Sequence, residues 1–367
     1  MNNYGSILMR CFTSLWAGVL LLIACGAYHP SFSADESAVL RFATYGGGLL
    51  EGQKSYLGEP FESLTGAKIQ WTPANEEIFA EKLLMAGGRT APFDLVLLDD
   101  PWYSLVRARG LLEALDERQV PNLARVRKEF RLPQDMGVCW GGILLGIVYN
   151  KTKYRELGIP APTKWQDLAD ARLSGRVGIQ TLAGTAPKFL LAAYAMELGD
   201  PPTKWDRAID EVAKIKFHSF SKGVADLTAK MEGGDVWAAP MVAGRAYSMI
   251  RKGLPLEFVL PDNGNGSKGG IACGTISIPR SSRNRSLAEK LISFYLSPGV
   301  QLMEATAATP YGPVISDLDP ILQKTPLIAD LIPWGPMVTH GFRLPWNEAD
   351  LDQFSAYVDA WNRKVQR

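Results

Sequence analysis

Two adjacent carboxylates, Asp99 and Asp100, close the apolar run Phe93-Asp94-Leu95-Val96-Leu97-Leu98 and could serve as an acid/base pair or as half of a metal site. Pro101 follows, so Asp100 also fits a helix N-cap ahead of a proline at the first helical position. Asp99 ends a strand that reads as buried on both faces, and open α/β sheets bind ligands at the carboxyl ends of their strands. Nucleophilic hydrolysis needs a base beside a nucleophile, and beyond residue 33 only His218 and His340 are neutral bases of that kind. His218, between Phe217 and Phe220, fits a packed or surface histidine, and no G-x-S-x-G elbow occurs. The loop Gly46-Gly47-Gly48-Leu49-Leu50-Glu51-Gly52 puts Glu51 where G-x-G-x-x-G needs its third glycine, and no P-loop is present. A nucleotide is therefore not expected; the loop is either a tight turn or a bare backbone that approaches an anion at a helix start. Cys139 and Cys273 form no CxxC, so neither a zinc knuckle nor a redox pair is written locally. No catalytic residue, metal or cofactor is expected.

The elements that must position these residues belong to a chain of 367 residues with 39 Lys+Arg and 38 Asp+Glu, a formal net charge of +1. Hydrophobic residues make up 47% and charged residues 21%, which excludes disorder, collagen and coiled coil. Without a basic block, nucleic acid is not an expected partner. The length suggests two domains or one large one. At the N-terminus a single Arg10 precedes an apolar stretch, residues 15–25, too short to span a bilayer. Residues 1–33 read as a secretory signal cleaved after Ser33; the alternative treats Leu22-Ile23-Ala24-Cys25 as a lipobox with Cys25 as lipid anchor.

Strands are expected at 39–44, 68–72, 93–98, 137–150, 176–180, 236–241, 256–260 and 270–279. Between them lie helices opened by Asn75, by Thr185-Ala186-Pro187, near Gly244 and near Ser286, with an amphipathic helix over 204–217 and a capping box at Thr163-Lys164-Trp165-Gln166. Leu351, Phe354, Val358 and Trp361 mark one face of a mostly helical tail. Alternating strands and helices give an α/β fold in two sets, separated by the Gly-rich strands at 137–150 and 270–279.

The order of these features resembles the extracellular solute-binding proteins of ABC importers, in particular the spermidine/putrescine-binding branch. The segments that carry the likeness include 40–48, 81–87 before Phe93-Asp94-Leu95-Val96, Trp140-Gly141-Gly142 and Pro162-Thr163-Lys164-Trp165-Gln166-Asp167-Leu168. Gly234-Asp235-Val236-Trp237, Phe258-Val259-Leu260-Pro261 and 288–296 before Ser297-Pro298 continue it. The resemblance implies a two-lobe periplasmic binding protein fold of type II, with crossing hinge strands and a ligand cleft between the lobes. On that reading 34–138 and 273–310 form lobe 1, 139–272 form lobe 2, and 311–367 form a helical segment across the lobes. It also implies a periplasmic monomer that passes a small solute to an ABC permease in the inner membrane. Cys139 and Cys273 would sit on the hinge strands; two free, buried thiols are the expectation, with a disulfide as the alternative.

The chain departs from the polyamine-binding pattern, in which acidic residues meet each ammonium group. Arg245 stands where one acid is expected, and Gly274, in Ala272-Cys273-Gly274-Thr275, replaces the other. The resulting ligand set is Tyr45, Gly46, Asp99, Trp140, Thr185, Trp237, Arg245 and Tyr311. Arg245 and Thr185 at a helix start would meet an anion, Asp99 an amine on the same molecule, and the aromatics an organic body. A core role for each Trp, and a solvated or paired Arg245, are the competing readings. The solute is thus expected to be anionic or zwitterionic; a polyamine, ferric ion or exported hydrolase are the alternatives. For ferric ion, Tyr247 stands alone and no Tyr-Tyr pair occurs.

Overall fold

Alternation of apolar strands with helices builds one continuous sheet path in a computed structural model that describes residues 38–325, 341–345 and 348–366. Residues 1–33, expected as a signal, with Cys25 among them, and His340 lie outside the described residues, as does the side chain of Leu351. The strands are β1 (Val39–Thr44), β2 (Lys68–Pro73), β3 (Leu95–Leu98), β4 (Leu112–Glu113), β5 (Val138–Asn150) and β6 (Val177–Gln180). They continue with β7 (Phe217–Ser221), β8 (Ala238–Val242), β9 (Leu256–Val259), β10 (Lys268–Pro279) and β11 (Gly341–Phe342). The hydrogen-bonded order is β2-β1-β3-β10-β5-β8-β6-β7, with β4 and β11 on β10 and β9 on β5.

In the first half, β1 runs parallel to β2 and β3, and β10 closes on β3 antiparallel. Every residue of β3 is buried, as its unbroken apolar sequence requires for a strand covered on both faces. Helices α1 (Gly48–Gln53), α2 (Glu76–Ala86) and α3 (Trp102–Ala108) follow these strands. In the second half β8 lies parallel to β6 and antiparallel to β5, with α4 (Thr185–Glu197), α5 (Asp206–Val212) and α6 (Ala243–Arg251) as cover. The chain returns along β10 into α7 (Arg285–Tyr295) and α8 (Pro298–Ala305), and ends in α9 (Glu348–Lys364).

Two large buried clusters form along this path. One gathers Phe42, Leu97, Trp140, Ile276 and Tyr295; the other gathers Ile147, Ile179, Leu190, Trp205 and Trp361. The antiparallel pair β5/β10 runs between them, from Val138 opposite Ile276 to Leu144 opposite Ile271. The architecture is therefore mixed α/β in two lobes.

The described part of the tail carries short 3-10 and α turns at Ser316–Leu318 and Asp319–Leu322, then β11 and α9. Two expectations need correction. The amphipathic helix over 204–217 stops at Val212, because Phe217 to Ser221 leave it to pair in parallel with β6. Cys139 and Cys273 are joined in a disulfide rather than free: their strands are hydrogen-bonded neighbours, and a register shift between Gly274 and Thr275 sets the Cα atoms 5.5 Å apart.

Candidate functional site

A cavity of about 200 Å³ opens where the carboxyl end of β3 faces the start of α4, with the disulfide strands as its floor. Asp99, Asp100, Thr185 and Lys188 line it, together with Glu129, Arg131, Phe189 and Arg343. Asp99 is only 8% exposed, and its Oδ1 has no hydrogen-bond partner. Burial pushes its carboxyl up to about 7, and the nearby Glu76 carboxylate adds to the rise, while Lys188 and Tyr45 oppose it. Asp100 is not the N-cap itself, which is Pro101, but one residue before it; its Oδ1 accepts from Ser104 N at 3.1 Å and Ser104 Oγ at 2.6 Å. The helix begins at Trp102, after a cis Asp100–Pro101 bond.

Lys188 lies in the first turn of α4 and is 1% exposed. Its ammonium donates to the Asp100 carbonyl at 3.0 Å and sits 5.6 Å from the Phe354 ring centroid. Burial lowers its pKa, against the pull of the Glu76, Asp99 and Asp100 carboxylates. Thr185 opens α4 after Gly184, which offers no capping side chain, so the N–H groups of the first turn point to the cavity end without one. Arg343, just past β11, stacks its guanidinium 4.8 Å from the Phe130 ring centroid. Its Nη2 is buried without a hydrogen-bond partner, and desolvation lowers its pKa against the opposing pull of the Glu129 carboxylate. Arg131, by contrast, is already held by Asp135 and Glu117.

Beside the cavity, Asp99 links to a second group. Burial raises the Tyr45 phenol, and Asp99 is the largest charge acting on it. Burial also raises Tyr311, which Arg245 draws back and Asp99 pushes further up. Tyr45, Asp99, Tyr311 and Arg245 thus share one electrostatic neighbourhood. Arg245 stands near the start of α6, with Nη1 3.5 Å from Thr309 Oγ1, and does not line the cavity itself. Gly46 is exposed in the turn before α1.

Two of the expected aromatics have neighbours other than the cavity. Trp140 is 1% exposed, stacked on Tyr295 and met edge-on by Tyr311 at 4.8 Å, so it supports Tyr311 from the core. Trp237 lies at the wrong end of β8: the five residues of that strand, roughly 3.3 Å each, separate it from the Arg245 end. Its ring is covered by Arg176 and Lys153, and its Nε1 donates to Gly234 O at 2.9 Å. His218 is exposed, with Nδ1 3.2 Å from Gly175 O, and lines no part of the cavity. Among the described residues no group of three or more His, Cys, Asp or Glu is placed to hold a metal ion, and no helix is long and apolar enough to cross a membrane.

Sequence reasoning missed Lys188 and Arg343. A lysine in a first helical turn reads as solvated, and it takes the facing β3 end and Phe354 of α9 to cover it. Arg343 sits in a segment read as helix; the pairing of Gly341 with Lys268 and of Phe342 with Gly270 brings it to the cleft.

The family model for a bacterial extracellular solute-binding protein matches residues 57–330. The spermidine/putrescine-binding periplasmic protein of Escherichia coli K12 is 23% identical over 298 residues, covering 76% of this chain and 79% of that protein. Among solved structures, the periplasmic binding protein AgtB from A. tumefaciens R10, in complex with agropinic acid, superposes with a TM-score of 0.70 at 19% identity, over 90% of this chain and 99% of that one. A putative spermidine/putrescine ABC transporter from Listeria monocytogenes gives 0.70 at 19% identity, over 88% and 98%.

Proposed function

Because the chain belongs to the bacterial extracellular solute-binding proteins of ABC importers, we propose that its cargo is a small organic solute bearing an anionic group, such as a carboxylate or phosphonate. The observation that carries this reading is Arg343: a buried guanidinium nitrogen without a partner, lining the same cavity as the uncapped start of α4. A buried charge of this kind is stabilised by a paired anion, and guanidinium meets carboxylate or phosphonate through two parallel hydrogen bonds. Asp99 offers its unpartnered oxygen to a donor on the same molecule, with Tyr45 and Tyr311 beside the cavity in the field of the same carboxylate. Arg245 supports the anion from the neighbouring group.

The names of the sequence relatives favour a polyamine instead. Against it stand two cations on the cavity wall, the buried Lys188 and Arg343 with its unpartnered Nη2. A thermal-shift screen separates the two readings, since a ligand at a hundredfold excess over its dissociation constant stabilises by about 2.7 kcal/mol. Organic acids or amino acids should give the shifts, and Arg343→Ala should remove most of the effect. A larger shift with putrescine or spermidine than with any acid would reject the anion.

The same reading takes binding without turnover, export by the signal segment 1–33 or anchoring at Cys25, and delivery as a monomer to an inner-membrane permease. It divides the lobes at 138/139 and 272/273 in the disulfide-linked strands, with 311–367 laid across both. A hydrolytic reading would rest on Asp99 and Asp100 and requires that Asp99→Ala abolish conversion of the bound solute.

A further inference from the structure

The deep end of the cavity is acidic. Asp99 and Asp100 end β3, Glu76 acts on the same spot from the start of α2, and Asp99 Oδ1 lacks a partner although the residue is 8% exposed. Carboxylates placed this way, beside an aromatic ring, suit an alkylammonium ion. In this chain such an ion is already present and is covalently attached. Lys188 reaches across from α4 with its methylene stem buried, its Nζ 3.0 Å from the Asp100 carbonyl and 5.6 Å from the Phe354 centroid. This is the seating that one end of a free diamine would take: a buried alkyl stem, an oxygen acceptor, a ring face and a negative field.

We propose that Lys188 is a tethered alkylammonium that fills the cation subsite of the cleft, and that it sets the charge class of the solute by excluding diamines and polyamines. The proposal rests on the reading of this cleft as the solute site. A free diamine would have to displace Lys188 from a pocket it cannot leave without exposing its stem, or bring two further positive charges beside it. Removing the Lys188 charge leaves the Glu76, Asp99 and Asp100 carboxylates around a vacated ammonium position.

The test is calorimetric titration of putrescine into the full chain, the Lys188→Met variant, and the Lys188→Met/Asp99→Asn double variant. Lys188→Met keeps a flexible apolar stem and removes the charge. The wild-type chain should give no saturable binding, Lys188→Met should gain affinity by about tenfold or more, and the added Asp99→Asn should reverse the gain. If Lys188→Met does not fold, Lys188→Gln, which retains a donor for the Asp100 carbonyl, is read the same way. A folded variant with no gain for putrescine overturns the proposal, as does a gain that survives Asp99→Asn. An organic-acid hit in the wild-type chain, measured alongside, keeps the two claims apart. That hit without a putrescine gain in the variant overturns the role of Lys188 alone. A putrescine gain in Lys188→Met that Asp99→Asn reverses, with no organic-acid hit in the wild-type chain, overturns the anionic cargo alone.

Discussion

With its carboxyl pushed up to about 7, Asp99 is protonated in the folded chain under mildly acidic conditions and ionised under mildly alkaline ones. An anionic solute should therefore bind more tightly at pH ~6 than at pH ~8, and Asp99→Asn should flatten that dependence; calorimetry at the two pH values checks it. Equal affinities in the wild-type chain would remove Asp99 from the solute's surroundings. Glu304 carries a parallel effect on stability. It is fully buried, accepts from Tyr295 at 2.7 Å and Tyr56 at 2.9 Å, and burial pushes it up to about 8. Its folded pKa lies above its unfolded one, so the folded state holds the proton more firmly. Stability from this group is complete below about pH 4.5, falls as pH rises toward 8, and levels off beyond. Glu304→Gln should thus gain in melting temperature relative to wild type as pH rises through that window. Asp99 was legible at this scale because a carboxylate ending an apolar strand has few structural uses. Lys188 and Arg343 were not, since their meaning depends on partners more than fifty residues away in sequence.

The elements owe their closeness to small residues at crossings. A Cβ at Gly146, in the middle of β5, would run into the Val259 carbonyl oxygen and the Phe258 ring on β9. Gly146→Ala should cost about 1–3 kcal/mol in urea unfolding, because one of the obstacles is backbone and cannot rotate away. The disulfide between β5 and β10 closes a sequence separation of 134 residues. Its loss in Cys139→Ser/Cys273→Ser should cost ~2–4 kcal/mol, seen as a lower melting temperature that reductant reproduces in the wild-type chain. Most strands could be placed from apolar patterning within a few residues, including β3 and both disulfide-bearing strands. β7 escaped because Phe-His-Ser-Phe-Ser lacks a clean alternation, and its strand character comes from the β6 edge it pairs with. The expected capping box held in a different form: Asp167, not Gln166, accepts from the Thr163 and Lys164 backbone N–H groups at 2.6 and 2.9 Å.

Across the whole molecule, α9 ties together parts far apart in the chain. Phe354 meets Trp102 of α3 edge-on at 6.1 Å and Trp205, beside α5, at 6.4 Å, while Tyr357 lies 5.3 Å from Trp205. Phe354→Ala should cost roughly 3–5 kcal/mol in denaturant unfolding, since it opens a cavity between both sets of helices and beneath the Lys188 ammonium. A cost under ~1 kcal/mol would mean that α9 is not fixed there. The two-lobe plan was readable from two α/β sets divided by Gly-rich strands, whereas the cleft's charge balance needed both lobes and the tail placed together. The proposed receptor captures an anionic solute at Arg343 and the start of α4 and releases it unchanged. Calorimetric titration of the strongest acid hit into the full chain, with recovery of the solute afterwards, tests that most directly. One solute bound per chain, lost in Arg343→Ala and recovered intact, is the predicted result; a consumed solute, or tighter saturable binding of putrescine by the wild-type chain, would contradict it.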